Sequence, residues 1–574
     1  MGQTVSNESN SNVGNSHQYL SRDDIRLFYD NKALKQFTTL ELFSFKDKIG
    51  ESDLLQTVSD ESIISWLGIP KDNGYFIELI LNMIKVYSNF PFLNSSSEDI
   101  TGVGLLKTIL LLDKERCHKF IGNKSYDQLT LLFISLALHG AKLNKTQATT
   151  NTKAESEIIN QEIGFDYKKI VKEYDSISLD DLTVDSKSIL QFIQWILIIW
   201  HYVPRENSII ESNKLCDEWG QYKTMASNIS RTMNYCNTNN SVITHKGFVN
   251  AISTFLPNFL VPLSNLFKHF LYKDTELKDH SLFRINFDET KLMTKELMST
   301  LTLMIPSTHF PVTKIQKLYV GRESGFSMRS LQSKVFKWLA PSILLVSGMR
   351  IVNDVEYGEN KNSRYTKFLD EYNKLKEEEQ NINETLLKKR KVIFAICIKE
   401  PWKVTNKDQF GGEGTTIYQL SPWIDTYKAI KPNIIYFNTI GGGIGVGNEQ
   451  PIVKSKFKKY NPGNVSLTLD SSLEFGVFRH IGYGGTINPG SLDTIHKDRD
   501  DNSKHAFELR FLIQDVEVWG CGGEKELAEQ IKQLEWEEAE AKRRQHVNLK
   551  SLGEDRALLE MAGLVGQHQS GGSV

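Results

Sequence analysis

The second residue of this chain is the first that could do chemistry. Met1-Gly2-Gln3-Thr4-Val5-Ser6 fits M-G-x-x-x-[ST], the N-myristoylation pattern. The chemistry requires Gly, because the acylated group is an unhindered α-amine left when Met1 is removed. One myristoyl chain gives only marginal, reversible membrane binding, on the order of 10⁴ M⁻¹. The usual second signals are missing. No Lys or Arg precedes Arg22, and the cysteine nearest to Gly2 is Cys117. A stable place on a membrane therefore requires a protein partner already there. Residues 7–20 are Asn/Ser-rich and suit a flexible arm.

Other residue types that could support catalysis do not assemble into a motif. The run Gly441–Gly447 follows a strand pattern, as a phosphate loop would. It lacks a following Lys-Ser/Thr, since Asn448 and Glu449 come next, and it misses G-x-G-x-x-G spacing. A turn that uses positive φ or close backbone packing is the reading it supports. His480 follows Arg479 and has no Ser or Cys nucleophile motif to serve, so it reads as structural. The five cysteines, Cys117, Cys216, Cys236, Cys397 and Cys521, are odd in number and hold no C-x-x-C pair. That argues against a disulfide framework or a zinc site and for a reducing compartment. Cys397 lies in a strand pattern and is expected to be buried and inert.

Asn237–Ile252 has the rhythm of the second half of an EF-hand. With Ile243 as the eighth loop position, the first is Cys236 and the twelfth Gly247. Calcium needs a carboxylate at the first position and a bidentate Glu at the twelfth. A calcium-free, EF-hand-like helical module is expected. No metal, cofactor, small-molecule substrate or enzymatic activity is assigned to the chain.

The elements that must position these residues fall into two halves. Hydrophobic residues make up 40% and charged residues 24%, a globular composition. Lys and Arg total 68 against 70 Asp and Glu, for a net charge of -2. A basic surface for nucleic acid is therefore not expected. The longest apolar stretch, Ile189–Val203, is too short and too interrupted to span a bilayer. No basic segment followed by an apolar one opens the chain, so a soluble, intracellular protein is expected.

From about Leu20 to Lys291 the apolar spacing is helical, as in Asp127–His139 and Asp185–Trp200, with a loop over Ala141–Glu162. From about Leu318 short β-branched and aromatic runs alternate with Gly, Pro and Asn. They include Ile343–Ser347, Val392–Ile398, Thr416–Leu420, Asn433–Asn438, Ser466–Asp470 and Phe507–Trp519. In the last run the in/out alternation slips by one at Gln514, which predicts a β-bulge. The charged stretch Lys361–Lys391 reads as a helical or mobile insertion. The fold class is α+β: a helical, EF-hand-like first half, a two-sheet β-sandwich and a C-terminal helix.

That last helix is expected over Glu524–His546, acidic first and basic last, which complements its dipole. Leu527, Ile531 and Leu534 form a short apolar stripe for a partner. Asp555–Val565 is apolar for a tail. It either docks on its own sandwich or lies in a partner's groove.

Five ordered blocks make a more specific resemblance. They are Leu318-Tyr319-Val320-Gly321-Arg322-Glu323-Ser324-Gly325, Ala340-Pro341-Ser342-Ile343, Lys399-Glu400-Pro401-Trp402, Gly441–Gly447 and Val516-Glu517-Val518-Trp519-Gly520. In order and type they resemble the TLDc domain. With the Gly2 pattern and helical half, the whole chain is similar to that family's fungal telomere-capping-restriction group. It is also similar to an animal myristoylated TLDc protein linked to TOR signalling. The resemblance implies a non-enzymatic regulator, cytoplasmic and peripheral on the vacuolar, lysosome-like membrane. Its implied partner is the peripheral sector of the vacuolar proton pump (V-ATPase). A signalling scaffold in a TOR-like or telomere-capping pathway, or an oxidative-stress protein, is the alternative.

The expected divisions are an arm over 1–20, a helical region over 21–291, a TLDc domain over 292–522 and an extension over 523–574. Arg322 and Glu323, in a predicted turn, and Trp402 are candidate partner-binding residues. For Trp402 and Trp519 the alternative is core packing. Many family members carry G-x-G-E-T where this chain has Gly412-Glu413-Gly414-Thr415-Thr416. The expected Glu falls on Thr415, which weakens any carboxylate mechanism.

Overall fold

The structure is a computed structural model. It describes residues 22–50, 53–93, 99–121, 128–140, 179–200, 218–234, 242–271, 287–307, 310, 312, 314–352, 354, 362–376, 390–454, 457–490, 506–522 and 524–562. Gly2 and its arm, the 141–162 loop, Cys216 and Cys236 lie outside these residues. The chain divides into two compact units. One holds residues 1–284 and 294–305, the other 285–293 and 306–574.

In the helical unit, polar side chains set the helix starts. Thr38 and Glu41 form a capping box at Thr39–Ile49: Thr38 N donates to the Glu41 carboxylate at 2.9 Å, and Glu41 N donates to Thr38 Oγ1 at 3.3 Å. Asp185 Oδ1 accepts from Ser188 N at 2.8 Å and starts Ser186–Ile199. Thr244 does the same for His245–Phe255. Helix Gly102–Leu112 is buried along its whole length, which explains its largely apolar composition; Lys107, buried with it, pairs with Asp30 at 2.7 Å.

The EF-hand-like geometry is more complete than the sequence pattern indicates. β1 (Thr183–Asp185) pairs antiparallel with β2 (Val242–Thr244), and Val184 faces Ile243. Each short strand runs directly into a helix. The half-motif ending at Ile252 thus has a counterpart before Ser186. With Val184 as its eighth position, that counterpart has Ile177 first and Ser188 twelfth, so its aspartates fall off the calcium pattern and the spacing did not reveal it.

The other unit is built on antiparallel strands. They are β3 (Lys314–Val320), β4 (Ser342–Arg350), β5 (Lys391–Ile398), β6 (Thr416–Ser421), β7 (Asp425–Lys428), β8 (Ile435–Asn438), β9 (Gly443–Val446), β10 (Glu449–Lys454), β11 (Phe457–Asn461), β12 (Val465–Leu469), β13 (Phe475–His480) and β14 (Phe507–Gly522). The hydrogen-bonded order is β7-β6-β5-β4-β14-β13-β12-β9-β8, and β3 adds to β14. β10 and β11 form a separate ribbon.

The expected sandwich is present, but its layers are not two separate sheets. The 16-residue strand β14 belongs to both. Its first half pairs with β13 and its last part with β3, while β4 runs along its centre. The register along β4 slips between Ile513 and Asp515, so the predicted bulge falls at Gln514. The two ends of the sheet then face each other. Phe394 of β5 stacks on Phe478 of β13 at 4.7 Å, and Trp423 meets Phe507 at 5.6 Å.

Within the charged insertion, Ser363–Glu371 is a helix. Tyr365, Phe368 and Tyr372 pack on Tyr460, Phe475 and Val477, covering the outer face of β13. The C-terminal helix runs unbroken from Glu524 to Met561, well past the expected end at His546.

Candidate functional site

The blocks that carry the family resemblance meet in space as joints of the sheet. Arg322 sits in the helical turn Gly321–Ser324. Its Nε donates to Asp515 and its Nη2 to the Gln514 carbonyl at 3.3 Å. Ser347 Oγ donates to the second Asp515 oxygen at 3.2 Å. Arg322 therefore clamps the bulge, and the Asp515 bond holds its guanidinium above the usual pKa. Glu323 is exposed and pairs with Lys317 at 3.1 Å. Of the two residues proposed for partners, Glu323 is the more accessible, while Arg322 is committed largely within the domain.

Trp402 is a correction. It was a candidate anchor on the surface, and the structure buries it, 3% exposed. Its Nε1 donates to Ser342 Oγ at 2.9 Å, and its ring lies against Phe410 and Phe437. The reason is geometric: the chain leaving β5 bends at Glu400, and the indole packs inward against the aromatic rings of the layer. Core packing, the alternative reading, describes both Trp402 and Trp519.

Trp519 belongs to a buried polar cluster that sequence spacing missed. Its Nε1 donates to Glu517 at 2.9 Å, and Thr290 Oγ1 donates to both oxygens of the same carboxyl at 2.7 and 2.9 Å. Burial pushes the Glu517 carboxyl up, against the pull of these bonds. Thr290 precedes the expected domain start at 292, so no local pattern joins it to β14.

The groups considered for catalysis stand apart. His480 is fully buried; its Nε2 bonds the Pro489 carbonyl at 2.7 Å and its ring stacks on Phe507. Cys397 and Cys521 are buried, and burial raises both thiols well above their ordinary value. Glu413 is exposed on a turn. The Gly441–Gly447 run forms the β8–β9 hairpin and β9 itself. Gly443 has φ +74 and a Cβ there would lie 2.2 Å from the Leu469 carbonyl. A Cβ on Gly445 would enter the Tyr436 ring. These glycines serve strand packing. At the twelfth position of the EF-hand-like pattern, a Cβ on Gly247 would approach Met233 O at 2.6 Å. Among the described residues, no group of three or more His, Cys, Asp or Glu is placed to hold a metal.

The C-terminal helix is the clearest exposed feature of this unit. Gln530 Oε1 accepts from Leu339 N at 3.0 Å, and Lys337 pairs with Glu537 at 3.6 Å. Ile531 is exposed, and Trp536 is 63% exposed. The side chains of Leu527 and Leu534 lie outside those described. Farther on, Leu558 and Leu559 are exposed and Met561 is 83% exposed. The expectation that the tail docks on its own sandwich is not met at these residues. The helix keeps its axis through Met561 and carries them along it, rather than turning back.

The bent antiparallel sandwich, joined through its last strand, falls within residues 286–522, which match the TLDc domain and make this a TLDc-domain protein. Over full length the chain is 50% identical across 579 residues to Restriction of telomere capping protein 5 of Saccharomyces cerevisiae, covering 100% of both. It is 46% identical across 586 residues to the protein of that name from Kluyveromyces lactis, and 45% across 581 residues to that from Vanderwaltozyma polyspora, again covering 100% of each. The chain belongs to the restriction of telomere capping protein 5 family. Among the described residues, no helix is long and apolar enough to cross a membrane.

Proposed function

We propose that this chain is a non-enzymatic, peripheral regulator of the V-ATPase on the vacuolar membrane. It is tethered by myristoylated Gly2 and engages the pump's peripheral sector through its TLDc domain and C-terminal helix. The observation that carries the second contact is Glu524–Met561, whose Trp536, Leu558, Leu559 and Met561 point into solvent. Exposed apolar side chains carried on a projecting helix suit helix-in-groove recognition. The absence of an enzymatic role is supported by His480 and both sandwich thiols being locked in the core. A second reading rests on the relatives' name, which places them in restriction of telomere capping. There the chain is a scaffold in that pathway, or a TOR-like one, and the pump is irrelevant.

Affinity purification from vacuolar membranes with mass spectrometry separates the two. Wild type, Gly2→Ala and a chain ending at Glu540 are compared. Recovery of peripheral-sector subunits by wild type and their loss from the truncated chain is the expected result. Absence of those subunits from every sample, with signalling or telomeric proteins in their place, sinks the pump reading.

A further inference from the structure

The first two helices of the helical unit have two apolar faces each. Ile25, Tyr29 and Ala33 of Arg22–Leu34 are buried, as are Phe45 and Ile49 of Thr39–Ile49. The opposite faces point outward. Leu27 is 60% exposed, Phe28 57% and Leu40 56%, and Phe43, one turn beyond Leu40, is 60% exposed. Among the described residues of this unit, every exposed large apolar side chain falls between 27 and 55, the last being Leu55. Such side chains scattered singly need no explanation. Their confinement to the first two helices and the loop after them does.

Their place in the chain indicates the partner. The acylation position, Gly2, lies 20 residues before Arg22, so the intervening chain reaches at most about 70 Å. A random-coil chain of that length has a root-mean-square span of roughly 25 Å. An acyl chain in a bilayer therefore brings these two helices, before the rest of the unit, to the lipid surface. The two helices carry Arg22, Arg26, Lys32, Lys46 and Lys48 against Asp23, Asp24, Asp30, Glu41 and Asp47, a balance that gives no net attraction to anionic headgroups. The chemistry on offer is apolar insertion.

We propose that Leu27, Phe28 and Leu40 insert into the headgroup–acyl boundary of a zwitterionic membrane and supply the second signal that one myristoyl chain lacks. This rests on acylation of Gly2, and the test separates the two. The full chain is co-expressed with N-myristoyltransferase, its acylation read by intact mass, and its sedimentation with phosphatidylcholine vesicles measured. The Leu27→Ser, Phe28→Ser, Leu40→Ser triple variant, equally acylated, is expected to partition about tenfold or more weakly. Added phosphatidylserine is expected to change neither. A fluorophore on Leu27→Cys is expected to shift to the blue with vesicles, a readout independent of the triple variant's folding.

Unchanged partitioning of the triple variant, with no fluorophore shift, overturns the insertion while leaving the lipid tether intact. If no acylation is found, the tether reading falls. The labelled Leu27→Cys chain and a labelled Leu27→Cys, Phe28→Ser, Leu40→Ser chain are then compared with an N-terminal hexahistidine on nickel-chelating lipid, where the first must show the blue shift and the second must not. Loss of a lipid-free dimer in the triple variant, with vesicle binding retained, reassigns the face to a second copy of the chain and also overturns the proposal.

Discussion

Burial and hydrogen bonding assign Trp402 its energy. Trp402→Ala removes a buried indole and is expected to cost about 3–5 kcal/mol in urea unfolding. Trp402→Phe leaves Ser342 Oγ without its donor and is expected to cost about 1–2 kcal/mol. Loss of pump binding with unchanged stability in either variant would return Trp402 to the interface. Glu517 gives a pH signature. Its carboxyl is raised in the folded state, so its contribution is fully present below the unfolded pKa and fades as pH rises through the folded one. Glu517→Gln is therefore expected to flatten the decline in stability from mildly acidic to neutral pH. A decline of equal slope in the variant would exclude Glu517 as its source.

Between Glu524 and Met561, the described hydrogen bond and salt bridge to the sandwich are made at Gln530 and Glu537. A chain ending at Glu540 keeps both contacts. Its unfolding free energy is expected to lie within about 0.5 kcal/mol of the full chain's. A larger loss would mean that the distal turns support the sandwich. Trp536→Ala, at an exposed site, is expected to be equally silent in stability while reducing recovery of pump subunits. β14 behaves oppositely. It joins both layers, so substitutions at its bulge report on the whole sandwich.

The proposed lipid tether has a distinctive salt response at the level of the whole molecule. No basic segment accompanies Gly2, so electrostatic attraction contributes little. The membrane-bound fraction of wild type is expected to change little between about 0.1 M and 0.5 M salt. Gly2→Ala is expected to lose most of that fraction at both. Strong salt sensitivity in wild type would instead indicate a charged surface as the main anchor.

Much of this was legible in the residues themselves. Alternation along Phe507–Trp519 gave the strand and located the bulge at Gln514, because side-chain direction has a period of two and one extra residue must invert it. The helix start at Asp185 was readable because a cap acts on backbone three residues away. The five ordered blocks identified the family before any contact was known. Contacts between distant residues were not legible. Thr290 reaches Glu517 across 227 positions and Arg322 reaches Asp515 across 193, and no local period encodes either pairing. Nor does composition separate Trp402 from Trp536: both are indoles in polar surroundings of sequence. Only the fold, by turning one into the sandwich and carrying the other away on a helix, decided which is core and which is free to meet a partner.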